Sequence, residues 1–256
     1  MKIFKFAKGL VLSAVLSAGC FCMAAACSAE AKAFEYESVL RGSYIHVLHD
    51  EFFTRRANMY NTSNQSNDWC EVIVREESGQ DGSVTKRWLI GDIRRDSDNN
   101  FFFSVRRHVT QKLDNRGNIE MSKVEEVGYN VNLYPRMASG IKLELLTTGT
   151  GPSADIDGEY TAISEYPEMS KEAAMYVLDR FMRSNPRYRE KLLGAAMVME
   201  GGDMAEIHTI RLAEPHPDHV VTRGIYQVFA SGTILEYDTA KDKWVELTKQ
   251  DYRKRR

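Results

Sequence analysis

The feature that most constrains this fold is a two-residue alternation of apolar and polar side chains, which recurs from Leu40 to about Ile163. Residues 129–133 and 141–145 both alternate in this way. Stretches rich in Gly, Asp and Asn, such as 77–82 and 114–118, separate the alternating segments. Because successive side chains of a strand point to opposite faces, the pattern predicts a meander of about eight antiparallel strands with one apolar face over a core.

The start of this region can be read in two ways. Leu40, Tyr44, Val47 and Leu48 fit the apolar stripe of a helix. Gly42 lies inside that stripe, however, and the intervening aromatic and β-branched residues favour a strand. We predict a strand from Leu40 to about Leu48.

The first 33 residues have the three-part pattern of a secretory signal peptide. Three lysines lie within the first eight residues, residues 9–26 carry no charge, and Ala31-Lys32-Ala33 provides a small-residue cleavage site. We predict that residues 1–33 are removed and that the protein is exported to the periplasm or the extracellular space. The uncharged stretch is close to the length of a membrane span, but its many Ala, Ser and Gly residues argue against an uncleaved anchor. No membrane span is expected after processing.

Lipidation is an alternative outcome for this leader. The segment Leu16-Ser17-Ala18-Gly19-Cys20 resembles a bacterial lipobox, in which the cysteine becomes acylated. The pattern has an aliphatic residue three positions before the cysteine, and here Ser17 occupies that position. We therefore expect a protein without a lipid anchor and keep Cys20 as the candidate lipidation site.

The charge balance argues against a nucleic-acid partner. The whole chain has 34 basic and 36 acidic residues, and removal of residues 1–33 leaves 30 and 35, a net charge of −5. Nucleic-acid-binding domains usually carry a basic excess or a basic stripe. A composition of 27% charged and 43% hydrophobic residues is that of a globular protein.

The pattern changes near Tyr166, where a helix is predicted. Ser170 is a good N-cap, and apolar residues then recur at three- and four-residue spacing up to Met182. Asn185-Pro186 ends this helix and begins a short second one. Four strands follow, and we expect Ile225 and Ile234 to face the helix. The predicted strands are 207–213, 219–230, 233–237 and 243–247.

Two glycine–aromatic pairs bracket the alternating region, Gly42-Ser43-Tyr44 at its start and Gly158-Glu159-Tyr160 in its last strand. A meander bracketed in this way resembles the lipocalin-like barrels of bacterial envelope proteins, over roughly residues 38–164. The resemblance implies a closed up-and-down barrel that holds a small apolar ligand. We assign residues 34–165 to this domain.

Residues 166–256 resemble the helix-then-sheet modules of secreted bacterial proteins, of the PepSY or cystatin-like kind. The resemblance is carried by the predicted helix from Lys171 to Met182 and by the strands at 219–228, 232–238 and 244–247. It implies a small domain with one helix on an antiparallel sheet, of a kind associated with binding and inhibition.

One tight histidine cluster is present, His216-Pro217-Asp218-His219, with His208 one strand earlier. His208, His216 and His219 could together bind zinc. The cluster also fits a polar loop bent by its prolines, and neither a helical H-E-x-x-H nor a paired-cysteine spacing supports a metal site. We therefore predict no metal site and no cofactor, and we keep these histidines as candidates.

Nucleophilic catalysis has little support in the sequence. No G-x-S-x-G elbow is present, and Cys70 lies in an alternating apolar strand, where a buried, inert thiol is expected. As the one cysteine after residue 33, it leaves no partner for an internal disulfide. The sequence favours a non-catalytic exported binding protein for a small apolar ligand or another envelope protein. The alternative is a hydrolase with an inter-domain site that uses His216 and His219.

Export predicts a defined mature N-terminus. Mass spectrometry of the protein from its native host should show a chain that begins near Phe34, because cleavage follows the small-residue site. A chain that begins at a diacylglyceryl-modified Cys20 would instead identify a lipoprotein.

Overall fold

The structure, a computed structural model, describes residues 40–47, 53–61, 67–98, 100–136, 142–147 and 156–248. The predicted signal peptide and the candidate Cys20 lie outside these residues. The described residues all belong to one compact unit.

The first part of the chain forms an eight-stranded antiparallel sheet, as its alternation predicts. Each strand pairs with the next along the chain, and the first also pairs with the eighth, so the strand order is circular. The strands are β1 Arg41–Val47, β2 Phe53–Tyr60, β3 Trp69–Glu77, β4 Val84–Arg95, β5 Phe101–Leu113, β6 Ile119–Arg136, β7 Lys142–Thr147 and β8 Gly158–Ser164.

The register of this sheet divides its side chains between two faces. Tyr44 lies opposite Ala57, which lies opposite Val72, and all three are buried. We call the face that carries them the interior face. Ile73 and Trp88 are also directly opposite each other but point to the other side, which we call the outer face. Both faces are covered over much of the sheet, and for that reason β3 has few exposed positions.

The two glycine–aromatic pairs lie on strands β1 and β8, which meet at the closing edge. Both tyrosines, Tyr44 and Tyr160, are buried. Gly42 and Gly158 have φ angles of +130° and +147°, a conformation that favours glycine. A Cβ on Gly42 would lie 2.4 Å from the Ser164 carbonyl oxygen, so glycine lets the two strands approach here.

The second part of the chain forms a helix, a five-stranded sheet and a two-stranded sheet. The elements of this part of the chain are β9 Met169–Ser170, α1 Lys171–Ser184, α2 Pro186–Arg189, a 3₁₀ turn Glu190–Leu192, β10 Ala196–Glu200, β11 Met204–Ala205, β12 Ile207–Pro215, β13 Val220–Phe229, β14 Ile234–Asp238 and β15 Lys243–Glu246. The five-stranded sheet has the order β10-β12-β13-β14-β15, and β9 pairs with β11.

Helix α1 begins and ends as the sequence predicts. The Ser170 side chain accepts a hydrogen bond from the Ala173 N–H at 3.1 Å, which satisfies one free donor of the first turn. The helix stops before Asn185, and Pro186 begins α2 because a proline is tolerated at a first helical position.

The buried face of α1 contacts both sheets. Val177, Leu178 and Phe181 belong to one apolar cluster that includes Trp69 and Trp88 from the outer face of the eight-stranded sheet. The same cluster takes in residues of the five-stranded sheet, namely Ile210, Leu212, Tyr226, Val228 and Ile234. The two predicted domains therefore share a core at this helix.

The expectation that Ile225 faces the helix was wrong. Tyr226 and Val228 are fully buried on the helix side, and Ile225 is only half-buried. Ile234 is buried as expected, and its direct neighbour in register is Val228. Since directly paired residues share a face, the parity of β13 follows from this pairing. Strand β13 has apolar residues at both odd-numbered and even-numbered positions, so its sequence does not show which set faces the helix.

Arg180, on α1, does not point freely into solvent. Its Nη1 donates hydrogen bonds to the Asp92 carboxylate and, at 3.2 Å, to the Asp68 carbonyl oxygen. Tyr176 donates to the same Asp92 carboxylate at 2.9 Å. Strand β4 packs against this side of α1, so Tyr176 and Arg180 of the helix contact the carboxylate of Asp92.

A buried carboxylate joins the outer face to the start of α1. Glu71 is fully buried and accepts three hydrogen bonds, from Asn58 Nδ2 at 2.9 Å, from the Ser170 N–H at 3.0 Å and from Ser170 Oγ at 2.5 Å. Burial raises the pKa of Glu71 to about 7, although these hydrogen bonds oppose the rise. The N-cap residue of the helix is thereby attached to β3.

Substitutions along α1 test the shared core. Phe181→Ala should lower the free energy of unfolding by about 3–5 kcal/mol, because it leaves a cavity in the cluster. Arg180→Ala should cost about 1–3 kcal/mol, because Asp92 loses the more buried of its two cations, while the other, Arg94, is 52% exposed. Arg183→Ala is the control and should cost less than about 0.5 kcal/mol, since this side chain is 69% exposed. Urea unfolding measures all three, and equal losses at Phe181 and Arg183 would contradict this packing.

Glu71 should make stability depend on pH. Its pKa is about 7 in the folded protein and near 4.5 when exposed, so the folded state binds more protons between these values. The free energy of unfolding should then fall as pH rises from about 4.5 to above 7, by about 3 kcal/mol from this group. Glu71→Gln keeps the shape and can still accept from Asn58, so this component should disappear. Urea unfolding of both proteins from pH 5 to 8 measures the difference, and parallel pH profiles would contradict the assignment.

Candidate functional site

The predicted histidine cluster lies on the exposed loop between β12 and β13. The rings of His216 and His219 stack with their centroids 4.8 Å apart. His219 Nδ1 lies 2.6 Å from an Asp218 carboxylate oxygen, and His216 Nε2 lies 3.7 Å from one of Glu214. The two histidines are therefore together, with acidic partners on the same loop and strand end.

His208 is not part of this cluster. It lies at the other end of β12, eight residues from His216, which corresponds to about 25 Å along an extended strand. Its ring is buried, and Nε2–H donates to the Met169 carbonyl oxygen at 2.7 Å. Burial lowers the pKa of His208, which favours the neutral ring. The zinc site that would need all three histidines is therefore not assembled, and the described residues contain no group of three metal-binding side chains.

Cys70 is fully buried on the interior face. Burial raises the pKa of its thiol well above the ordinary value, so the nucleophilic thiolate is disfavoured. Its position in an alternating apolar strand indicates this environment from sequence.

A groove of about 780 Å³ lies between α2 and the strands β13, β14 and β15. Of the four cations that line it, three are paired: Lys191 with Glu236 at 2.5 Å, Lys241 with Asp238 at 2.8 Å, and Arg223 with a glutamate of β12 at 2.5 Å. A large concave groove is the usual first candidate for a binding site. Here most of the charge is already neutralised within the protein, so the groove offers a ligand little unpaired charge.

A different arrangement occurs on the interior face of the eight-stranded sheet. Arg55 lies directly opposite His46 on β1 and Val74 on β3, and Val74 lies opposite Arg87 on β4. Directly paired residues share a face, so two arginines and a histidine are grouped on the interior face near one end of the sheet.

Arg55 is buried, with 8% of its surface exposed, and is the one arginine in the buried class among the described residues. Nη1 donates to the Asp157 carbonyl oxygen at 2.8 Å, and the guanidinium lies 5.1 Å from the Phe53 ring centroid. Nε is buried without a hydrogen-bond partner. The Arg55 side chain is thus fixed in position, but not all of its hydrogen-bond donors have a partner.

No carboxylate of the described residues forms an ion pair with Arg55. Asp157 contributes only its carbonyl oxygen, because its carboxylate accepts hydrogen bonds from the Thr147 N–H at 2.8 Å and from Thr147 Oγ1 at 2.5 Å. A buried charge usually has a counter-charge, because removal from water costs several kcal/mol. Arg55 is therefore the candidate group for binding an anionic ligand, which would supply the counter-charge.

Tyr160 and His46 adjoin Arg55. Tyr160 donates to the Ile156 carbonyl oxygen at 2.8 Å, and its ring centroid lies 5.4 Å from that of His46. His46 Nδ1–H donates to the Glu159 carbonyl oxygen at 2.6 Å. A Cβ on Gly158 would lie 3.1 Å from the His46 ring, so glycine makes room for the imidazole.

The sequence-based search missed Arg55, although a signal was present. Arg55 and Arg56 are adjacent in a strand, so their side chains must point to opposite faces. Arg56 takes the outer face, where Glu168 pairs with it at 2.6 Å. The other arginine of such a pair has to enter the interior.

No family model, curated protein or solved structure matches this chain. In the part of the chain that the structure describes, no helix has the length and apolar character to cross a membrane.

Replacement of Arg55 tests whether its charge is uncompensated. Arg55→Met should leave the free energy of unfolding of the ligand-free protein unchanged or higher, because an unpaired buried charge is removed and an apolar side chain of similar length fills the space. Arg180→Met is the matched control. It should cost about 1–3 kcal/mol, since Arg180 is the more buried of the two cations that pair with Asp92. Urea unfolding compares the two variants, and a loss of more than about 1 kcal/mol in Arg55→Met would contradict the assignment.

Proposed function

We propose that this protein is an exported, non-catalytic binding protein whose eight-stranded sheet is a lipocalin-like barrel. Its ligand is a small apolar molecule with one anionic end, either carboxylate or phosphate. The observation that carries the proposal is the buried Arg55 guanidinium, whose Nε has no hydrogen-bond partner and which has no carboxylate partner among the described residues. The export rests on the basic, apolar and small-residue pattern of residues 1–33.

The anionic end would bind at Arg55. A guanidinium offers two parallel N–H donors to a carboxylate or phosphate, and such charge-assisted bonds are roughly twice as strong as neutral ones. Nε of Arg55 is a buried donor without a partner, so it is free to take part in such a bond. Burial of the arginine strengthens the attraction because little water screens it.

The apolar part of the ligand follows from the rest of the interior face. Neighbouring buried positions on that face are apolar, including Met59, Val72, Val74, Leu89, Phe103, Val105, Val131, Leu143 and Leu145. An eight-stranded barrel has an interior that side chains fill or that holds one small ligand. A short chain or ring attached to the anion would therefore contact apolar side chains.

The alternative hydrolase function gains no support from the histidine loop. His216 and His219 contact each other and acidic side chains, and no serine, threonine or cysteine among the described residues hydrogen-bonds to either ring. A base without a nucleophile does not make a hydrolytic site.

Isothermal titration calorimetry with three probes tests the binding function. Decanoate has both the anion and the apolar chain, decanamide lacks the charge, and acetate lacks the chain. We expect decanoate to bind and both other probes to bind roughly 10- to 100-fold more weakly, the amide because it loses the charged hydrogen bond and acetate because it loses apolar burial.

Two arginine variants complete the experiment. Arg55→Gln should weaken decanoate binding roughly 10- to 100-fold. Arg56→Gln removes the neighbouring charge on the outer face and should leave the affinity unchanged. Equal affinity of wild type and Arg55→Gln for decanoate, or absence of decanoate binding to the wild type, would refute the proposed function.

A further inference from the structure

A second pocket lies outside the eight-stranded sheet, where the first turn of α1 crosses strands β2, β3 and β4. Its volume is about 270 Å³. We call it the outer pocket. It is lined by the outer-face residues Thr54, Arg56, Ile73, Arg75, Lys86 and Trp88 and by Ser170, Glu172, Asp203 and Met204 from the α1 side. The interior site at Arg55 is on the opposite face of the sheet, so the two sites are separate.

One wall of the outer pocket is basic. Arg75 on β3 and Lys86 on β4 lie directly opposite each other in the register. Like charges at directly opposite positions of a sheet repel. Arg75 has a partner in Glu77 at 2.8 Å, whereas no described residue forms an ion pair with Lys86. An anion between these two side chains would relieve the repulsion.

The facing wall is acidic. Glu172, in the first turn of α1, is buried with 6% of its surface exposed. The Glu172 carboxylate accepts a hydrogen bond from the main-chain N–H of Glu172 itself. No other described residue donates a hydrogen bond to it. Burial raises the pKa of Glu172, and the charges of Lys171 and Lys86 partly oppose that rise. Asp203 on the same wall is already paired with Lys171 at 2.8 Å.

The floor of the outer pocket is apolar. Ile73 and Trp88 form it from the sheet, and Met204 forms it from the α1 side. The volume lies below the roughly 300–1,000 Å³ of pockets for drug-sized ligands, so the occupant is small.

We propose that the outer pocket binds a small zwitterion of the free α-amino acid class. The carboxylate lies between Arg75 and Lys86, the ammonium group lies on Glu172, and the side chain covers Ile73 and Trp88. The ammonium group thereby gives Glu172 a hydrogen-bond donor that the nearby cations Lys171 and Lys86 do not supply, and the carboxylate adds an anion beside Arg75 and Lys86. It does not depend on the proposed ligand of the interior face.

Three probes separate the charges of such a ligand. Leucine carries both charges, N-acetyl-leucine lacks the ammonium group, and leucinamide lacks the carboxylate. Saturation-transfer NMR and calorimetry on the full mature chain should show that leucine binds and that each blocked analogue binds at least roughly ten-fold more weakly.

Variants locate the binding to the outer pocket. Glu172→Gln and Lys86→Gln should each weaken leucine binding at least roughly ten-fold. Lys112→Gln and Glu120→Gln are matched controls, because this pair lies on β5 and β6 away from the pocket and is partly exposed. Circular dichroism and urea unfolding should show that all four variants remain folded.

The competing outcomes are distinct. Equal binding of leucinamide would identify a site for cations alone, and equal binding of N-acetyl-leucine a site for anions alone, and either result would overturn the zwitterion proposal. Absence of binding by all three probes, or leucine binding that survives both pocket substitutions, would overturn it as well.

Discussion

The arrangement of this protein depends on the buried carboxylate of Glu71. It accepts hydrogen bonds from both the main chain and the side chain of Ser170, and Ser170 in turn caps helix α1. A single carboxylate on β3 thereby sets where the helix begins relative to the eight-stranded sheet. Because the helix begins there, its apolar stripe lies over Trp69 and Trp88 and its first turn lies beside the outer pocket. The same burial that holds the helix also raises the pKa of Glu71 to about 7, so this attachment has a charge state that changes near neutral pH.

The eight-stranded sheet has different chemistry on its two faces. The outer face carries an apolar area under α1 and a row of paired ionic groups around it. The interior face is apolar except near one end, where Arg55 is buried without a carboxylate. Arg180 provides the comparison, since this arginine also has unpaired nitrogens but its charge is neutralised by Asp92. The difference between these two arginines is the physical reason to regard one as structural and the other as a binding group.

Much of the fold could be predicted from local patterns, whereas the candidate sites could not. The alternation at 129–133 predicts strand β6, and Ser170 with Pro186 predicts both ends of α1. The spacing of the histidines made them the candidate metal ligands, but His208 and His216 lie at opposite ends of β12. The adjacency of Arg55 and Arg56 in a strand predicts that one of them enters the interior, but it does not say which one. The significance of Arg55 lies in what surrounds it after folding, namely the absence of a counter-charge among the described residues.

The sequence by itself predicted the alternating strands before residue 165, the four strands after residue 206, helix α1 with its N-cap, and the lack of a disulfide partner for Cys70, because these follow from side-chain periodicity, local hydrogen bonding and residue identity. It did not predict β9, β10 and β11. Only the tertiary structure decided which parity of β13 faces α1, that Arg180 meets Asp92, and which of Arg55 and Arg56 enters the interior. The reason is the same in each case. A strand with apolar or charged residues in both parities is locally ambiguous, and the choice is made by partners distant in sequence, such as Ile234 for Val228 and Glu168 for Arg56.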